Sequence, residues 1–147
     1  YHSKVPFVKQ LIHHTMDRAQ QRGWIRTILG RKCRFNMWEP ATFGMHKPQT
    51  FENASMEHGS RNIKRAFTYK ALNKLIQGSV ADMTKKSMLE LYKEGIVAHI
   101  QIHDELDISV EDDKQAKKIV EIMESAVDLE IPNKVDYEKG KNWGDIH

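Results

Sequence analysis

The sequence predicts an α+β fold, an antiparallel sheet with helices packed on one face. Three observations predict it. Apolar residues recur at i, i+3 and i+4 in three separate segments, the period of a helix with one buried face. Residues 96–110 instead alternate between apolar and polar, the period of a strand. Residues 24–37 hold two β-prone runs around a glycine-centred turn, the signature of a hairpin. At 147 residues the chain suffices for one domain with a real core, and residues 1–147 are read as a single domain.

Val5, Val8, Leu11, Ile12, Thr15, Met16 and Ala19 define the first helix, with Ser3 as its N-cap and Gly23 as its stop. Residues 24–28 and 32–37 then flank Leu29-Gly30-Arg31 as a hairpin with basic side chains at its tip. Residues 38–60 contain Pro40, Gly44, Pro48, Asn53 and Gly59, and are read as a long surface loop. Loops of that length are uncommon in compact domains unless they have a function.

From Arg61 the pattern is read as helical, with Leu72, Leu75, Ile76, Ser79, Val80 and Met83 on one stripe. Asn73 and Gln77, four residues apart, point the same way from another stripe. Gly78 is expected to kink or break this helix, and Gly95 to end it after Lys93.

Ile96, Ala98, Ile100, Ile102, Leu106, Ile108 and Val110 are apolar and even-numbered; His99, Gln101, His103, Glu105, Asp107 and Ser109 are polar and odd-numbered. Asp104 interrupts the alternation between two strands. If both strands keep their apolar side inward, cross-strand partners share parity. That requires an odd loop, most simply His103-Asp104-Glu105. Asp112 with Gln115 resembles a capping box, opening a helix with Ala116, Ile119, Val120, Met123, Ala126 and Val127 on one face. Pro132 ends that segment, and residues 135–138 are a candidate final strand.

With 29% charged and 39% hydrophobic residues, the composition is that of an ordinary globular protein. The net charge of +3 is too small to argue nucleic-acid binding by itself. Its distribution says more. Arg22, Arg26, Arg31, Lys32, Arg34, Lys47, Arg61, Lys64, Arg65, Lys70 and Lys74 lie in the first half, whereas acids crowd into residues 104–130. The asymmetry suggests one face for phosphates and another for solvent or metal. A single cysteine, Cys33, allows no disulfide within the chain and fits a reducing cytoplasm. No apolar run approaches ~18 residues, so no transmembrane helix is expected. The N-terminus does not read as a signal peptide and lacks an initiator Met, so the chain is expected to begin inside a longer protein.

Three constellations carry chemistry. In Gln101-Ile102-His103-Asp104-Glu105-Leu106, two adjacent acids at a tight turn on a polar sheet face call for a positive partner. Hard oxygen ligands suit Mg²⁺. By spacing alone, an acidic and solvated turn is the commoner outcome. Asn73-Lys74-Leu75-Ile76-Gln77-Gly78-Ser79-Val80-Ala81-Asp82 sets two amides on one helix stripe, which by itself is a polar face turned to water. The stretch from Gly23 to Lys32 is a basic hairpin.

In order along the chain, these segments resemble those of family A, polymerase I-like DNA polymerases. The first resembles the family's His-Asp-Glu hairpin motif. The second resembles its Asn, three residues, then Gln-Gly-Thr-Ala-Ala-Asp. The third resembles its Gly-aromatic, Thr, Gly-Arg-Arg hairpin. The ending Asn142-Trp143-Gly144-Asp145-Ile146-His147 is similar to the family's Asn-Trp and terminal His. Four collinear matches make chance agreement improbable.

The resemblance implies the C-terminal palm portion of a polymerase domain and template-directed nucleotidyl transfer by a two-metal mechanism. Asp104 would be the metal ligand, with Glu105 at the edge of the metal site and His103 near the primer terminus. Asn73 and Gln77 would contact the duplex. Arg31, Lys32 and Arg34, joined by Arg61 and Arg65, would meet DNA phosphates. Three positions depart from the pattern: Tyr69 stands where the family often has Arg, and Asp107 and Ser109 where many members are more apolar or acidic. The family's upstream metal-binding Asp and nucleotide-binding helix have no match here. The Mg²⁺ site would therefore be completed by residues outside this chain, which is expected to be inactive alone. The implied partners are template–primer DNA, deoxynucleoside triphosphates and the remainder of the polymerase, as the same or a separate chain, with no membrane. A non-catalytic DNA-binding module with a palm-like fold is the alternative. A small metal nuclease using Asp104, Glu105 and Asp107 ranks third.

Overall fold

The computed structural model describes residues 6–145. They form two compact units that divide between Ser79 and Val80. The class is α+β, with all strand pairing antiparallel and distributed over three two-stranded ladders. Among the described residues, no helix is long and apolar enough to cross a membrane.

The first unit opens with α1 (Pro6–Arg22). Ser3, the expected N-cap, lies outside the described residues. Gly23 stops the helix as expected, its N–H donating to the Ala19 carbonyl at 2.9 Å. Strands β1 (Trp24–Arg26) and β2 (Lys32–Arg34) follow as the expected hairpin, pairing Trp24 with Arg34, Ile25 with Cys33 and Arg26 with Lys32. Cross-strand partners share a face. Ile25 enters a core with Ala19, Phe35 and Ala71, onto which Cys33 and Leu75 pack. Trp24, Arg26, Lys32 and Arg34 therefore occupy the opposite face.

The stretch expected as a long loop carries two elements. Strand β3 (Trp38–Pro40) pairs with β4 (Ile63–Arg65), and α2 (Phe51–His58) lies between them. Thr50 caps α2, its hydroxyl accepting from the Asn53 N–H at 3.4 Å. The Trp38 ring meets Phe51 edge-on at 5.0 Å. Elements this short leave no periodicity to read, and the β3–β4 pairing is a tertiary contact. The same ladder corrects the expected helix from Arg61. After β4, Phe67 adopts a left-handed φ of 63°, a 3-10 turn covers Thr68–Lys70, and α3 begins only at Ala71.

Helix α3 (Ala71–Lys93) runs through Gly78 without a break, so the expected kink is absent. The glycine has another cause. A Cβ there would stand 2.9 Å from Thr27 Cγ2, 3.4 Å from Arg31 Nη2 and 3.6 Å from Cys33 Sγ. The hairpin presses directly on the helix backbone. Arg31 Nη2 donates to the Gly78 carbonyl at 2.8 Å, and the Ile28 N–H donates to Ser79 Oγ at 3.1 Å.

In the second unit, α3 ends where expected. Gly95 takes a φ of 76° and its N–H donates to Tyr92 O at 3.0 Å, while the Ile96 N–H donates to Leu91 O at 2.9 Å. This is the Schellman closure, which satisfies carbonyls that the helix end leaves open. Leu91 and Ile96, joined by it, form the core with Ile119, and Leu106, Ile108, Ile122 and Met123 pack around them.

Strands β5 (Ile100–Ile102) and β6 (Glu105–Asp107) pair Ile102 with Glu105, Gln101 with Leu106 and Ile100 with Asp107. The loop is thus two residues, His103-Asp104, not the expected three. Two-residue loops are the favoured hairpin connection where the first residue accepts a positive φ, and His103 does so at 52°. The shift has a cost in burial. A change of register by one residue turns a strand over. With Leu106 on the core, Ile100 and Ile102 turn outward and are 48% and 38% exposed.

Helix α4 (Asp113–Ser125) has its expected cap, Asp112 Oδ1 accepting from the Gln115 N–H at 2.7 Å. Gln115 Oε1 accepts from the Glu111 N–H at 2.7 Å, one residue beyond the N-cap amide that a standard capping box engages. The helix ends before Pro132. Residues 135–138 form no strand, because the Val135 N–H donates to Glu124 Oε1 at 3.1 Å in place of a ladder partner. Lys139 reaches Asp113 at 2.6 Å. That hydrogen bond holds the Asp113 carboxyl below its ordinary range and raises the Lys139 ammonium above its own.

Gly78 supplies a test of the packing by the sign of an effect. Helix propensity alone favours Ala over Gly by about 1 kcal/mol. The contact with Thr27 opposes it, since overpacking costs about 1–3 kcal/mol. Gly78→Ala is expected to lower stability in urea denaturation. An increase would show that the hairpin does not press on α3 there.

Candidate functional site

The ten residues expected at the site divide between the two units. His103, Asp104 and Glu105 lie in the second, and Asn73, Gln77, Arg31, Lys32, Arg34, Arg61 and Arg65 in the first.

The β5–β6 turn presents its acids to solvent. Gln101 Nε2 donates to the His103 carbonyl at 3.1 Å and braces the turn from within. His103, Asp104 and Glu105 are all exposed. The register puts Glu105 on one face of the ladder with Asp107, while Asp104 sits at the tip. Among the described residues, no group of three or more His, Cys, Asp or Glu is arranged to hold a metal ion. The donors are nonetheless of the right kind. Two adjacent carboxylates offer hard oxygens from an open turn, which fits part of a Mg²⁺ shell and leaves the remainder to other ligands.

Asn73 and Gln77 are exposed on α3, one helical turn apart, and neither side chain forms a hydrogen bond among the described residues. Both amides are therefore available. Tyr69, also exposed, lies four residues before Asn73 in the 3-10 turn, with the Lys70 ammonium 5.6 Å from its ring and 5.4 Å from that of Phe67.

The basic residues expected to meet phosphates differ in their surroundings. Arg34 and Arg61 are exposed, whereas Arg31 is engaged with the Gly78 carbonyl. Arg65 is directed inward. Its Nε donates to Gln20 O at 3.2 Å, its Nη1 donates to Phe35 O at 2.9 Å, and its guanidinium carbon lies 4.5 Å from the Trp38 ring centroid. This geometry ties Arg65 into the fold rather than presenting it outward, because a half-buried guanidinium gains more from two open carbonyls than from water.

The sequence reading missed a cluster around Trp24. Lys32 Nζ lies 4.8 Å from its ring centroid, and the guanidinium carbons of Arg26 and Arg22 lie 5.2 Å and 6.0 Å away. The signal was present as Trp24 and Arg26 two residues apart on a strand facing Lys32 and Arg34. Reading it requires the hairpin register. Each cation gains roughly 0.5–1 kcal/mol from the ring. Like charges repel by roughly 0.4–0.7 kcal/mol per pair in water at separations of about 6–12 Å. The two effects are of similar size, so the ring holds the cluster together without neutralising it.

At the C-terminus, Asn142 organises a 3-10 turn at Trp143–Asp145, its Nδ2 donating to Asp145 Oδ2 at 2.8 Å and its Oδ1 accepting from the Gly144 N–H at 2.9 Å.

Comparison with known proteins gives these residues a context. Residues 1–145 match the family described as DNA polymerase family A. A DNA-directed DNA polymerase of Pseudomonas phage M6 is 38% identical over 141 residues, covering 96% of this chain and 18% of the relative. DNA polymerase I of Geobacillus stearothermophilus is 33% identical over 156 residues, covering 99% of this chain and 16% of the relative. The chain thus spans under a fifth of the length of these two relatives. Among solved structures, the POL domain of Pol1 from M. smegmatis, in complex with DNA primer-template and dNTP, shares the fold. Its TM-score is 0.66 at 23% identity, covering 95% of this chain and 23% of that one. Matched over nearly its whole length, this chain belongs to DNA polymerase family A.

Proposed function

We propose that this chain is the palm portion of a DNA-directed DNA polymerase, contributing one side of a Mg²⁺ site and a duplex-contacting surface to template-directed nucleotidyl transfer. The observation that carries the reading is the β5–β6 turn. The Gln-Ile-His-Asp-Glu-Leu motif forms a braced hairpin whose tip, Asp104, is a carboxylate open to solvent. Among the described residues no side chain forms an ion pair with it, so a divalent cation fits the charge.

In this reading Asp104 holds metal, Glu105 lies at the edge of the same site, and His103 stands beside the primer terminus. When bound, the metal ions would absorb the charge that builds on the attacking hydroxyl and the transferred phosphate. The chain's own residues position the DNA. Asn73 and Gln77 offer amide donors to minor-groove acceptors present in every base pair, so they monitor pair shape without reading sequence. Lys32, Arg34 and Arg61 meet phosphates. The two acids supply only part of a metal shell, so the remaining ligands and the triphosphate cradle come from the rest of the polymerase, as the same or a separate chain.

Three outcomes test this. The purified 147-residue chain is expected not to extend a labelled primer–template with Mg²⁺ and all four nucleotides. Robust template-dependent synthesis would show that its own residues complete the site.

In a polymerase containing this portion, Asp104→Asn is expected to lower synthesis at least about 100-fold, the scale of losing one preorganised electrostatic group. Fold and DNA affinity should hold, because Asp104 is exposed and its loss opens no cavity. Glu105→Gln should cost less. Near-normal synthesis by Asp104→Asn would return the turn to an acidic, solvated loop.

Binding of this chain to duplex DNA is expected to weaken steeply with salt through counterion release. Lys32→Gln with Arg34→Gln should reduce the slope of log affinity against log salt by about 2, roughly 1 for each lost phosphate contact. An unchanged slope in a titration of labelled primer–template would remove the hairpin from the interface.

A further inference from the structure

We infer that Trp24 is the positioning centre of a backbone-phosphate site formed by Arg22, Arg26, Lys32 and Arg34 on the outward face of the β1–β2 hairpin. The inference rests on the proposed DNA-binding reading. It goes beyond it by adding Arg22 and Arg26 to the interface and by assigning a neutral side chain the task of arranging the charges.

Four observations carry it. First, the register places Trp24 opposite Arg34 and Arg26 opposite Lys32, so one ladder face is built entirely of three cations and an indole. Second, three cations converge on that indole at 4.8, 5.2 and 6.0 Å, with Arg22 joining from the last turn of α1. Third, none of Arg22, Arg26, Lys32 and Arg34 forms an ion pair among the described residues, whereas Lys64, Lys86, Lys93, Lys118, Lys134 and Lys139 each do. The cluster carries no internal counter-charge. Fourth, the hairpin cannot turn this face away. Ile25 is buried in the core behind it, and the turn is tied to α3 through Ser79 and the Gly78 carbonyl.

The ligand chemistry follows from the donors. Guanidinium forks match phosphate oxygens in two-pronged geometry, and a row of such groups suits a polyanion better than a single carboxylate. Successive residues on one ladder face are ~7 Å apart, so the cations span several charges of a DNA duplex, which carries one per ~1.7 Å of axis. Trp24 is half-buried beneath the cations. Its ring orients them and is not offered to a base, so contact is with the backbone and independent of sequence.

The test uses fluorescence anisotropy of labelled primer–template with this chain, over a range of salt and with two unrelated DNA sequences. Arg22→Gln and Arg26→Gln are each expected to reduce the salt slope by about 1, equally for both sequences. Trp24→Leu removes no charge, yet should weaken binding roughly three- to tenfold at fixed salt, and Trp24→Phe should recover most of the loss, since a phenyl face also attracts cations. If Arg22→Gln and Arg26→Gln leave slope and affinity unchanged while Lys32→Gln with Arg34→Gln lowers them, the inference fails and the DNA-binding reading stands. If none of these variants alters binding, both fail. Equal weakening by Trp24→Leu and Trp24→Phe, accompanied by a lower melting temperature, would make Trp24 a packing residue and overturn its assignment. Competition by phosphatidylserine vesicles at matched charge, sensitive to the same variants, would overturn the nucleic-acid assignment.

Discussion

The first unit depends on one guanidinium. Arg65 ends a three-residue strand, yet it links the last turn of α1 through Gln20 O, the residue after β2 through Phe35 O, and the start of β3 through the Trp38 ring. Gly23 is part of the same constraint, since a Cβ there would lie 2.6 Å from the guanidinium carbon. Three chain segments thus converge on one planar cation. Hydrogen bonds from a charged donor to otherwise open carbonyls contribute roughly 1.5–3 kcal/mol each, several times the typical worth of an exposed ion pair. With that clamp in place the hairpin is held against α1 and α3, and its two faces become distinct: Ile25 inward, Trp24 with its cations outward.

Much of this was legible in the sequence, and the parts that were not share a cause. The helices with long apolar stripes, the hairpin after Gly23, the Asp112 cap and the Gly95 stop follow from local rules that operate within a few residues. Strand β3 and helix α2 did not, because each is too short to display a period and depends on partners such as Arg65 and Phe51 elsewhere in the chain. Gly78 shows the same limit from another side. Its local meaning is a weak point in a helix, whereas its actual cause is a hairpin 47–51 residues earlier in sequence that needs the space of a missing side chain.

The β5–β6 turn separates chemistry from geometry. By residue type and spacing its acids read as a solvated turn, the family resemblance is what singled them out, and the structure leaves them exposed. The loop length was misjudged because both strands were expected to keep their even-numbered apolar residues inward. Only one does: a two-residue loop places Ile100 and Ile102 on the face of Asp107 and Glu105, away from Leu106. Periodicity reports which residues share a face within a strand. Between strands only the turn decides, and this turn holds His103 and Asp104, two of the residues proposed for the site. Arg65 illustrates the complementary case, a residue whose charge suggested an outward task and whose surroundings give it an inward one.

His103 sets two demands on one position against each other. Its backbone occupies the left-handed region at a φ of 52°, where any residue with a β-carbon is strained and glycine is at ease. Selection for a stable hairpin alone would therefore drift toward glycine, or toward asparagine, which tolerates the conformation. An imidazole maintained there holds roughly 1–3 kcal/mol of conformational strain in reserve. Laboratory evolution of this chain for heat resistance alone would find position 103 an inviting place to change, and would gain rigidity at the cost of the group presented beside Asp104.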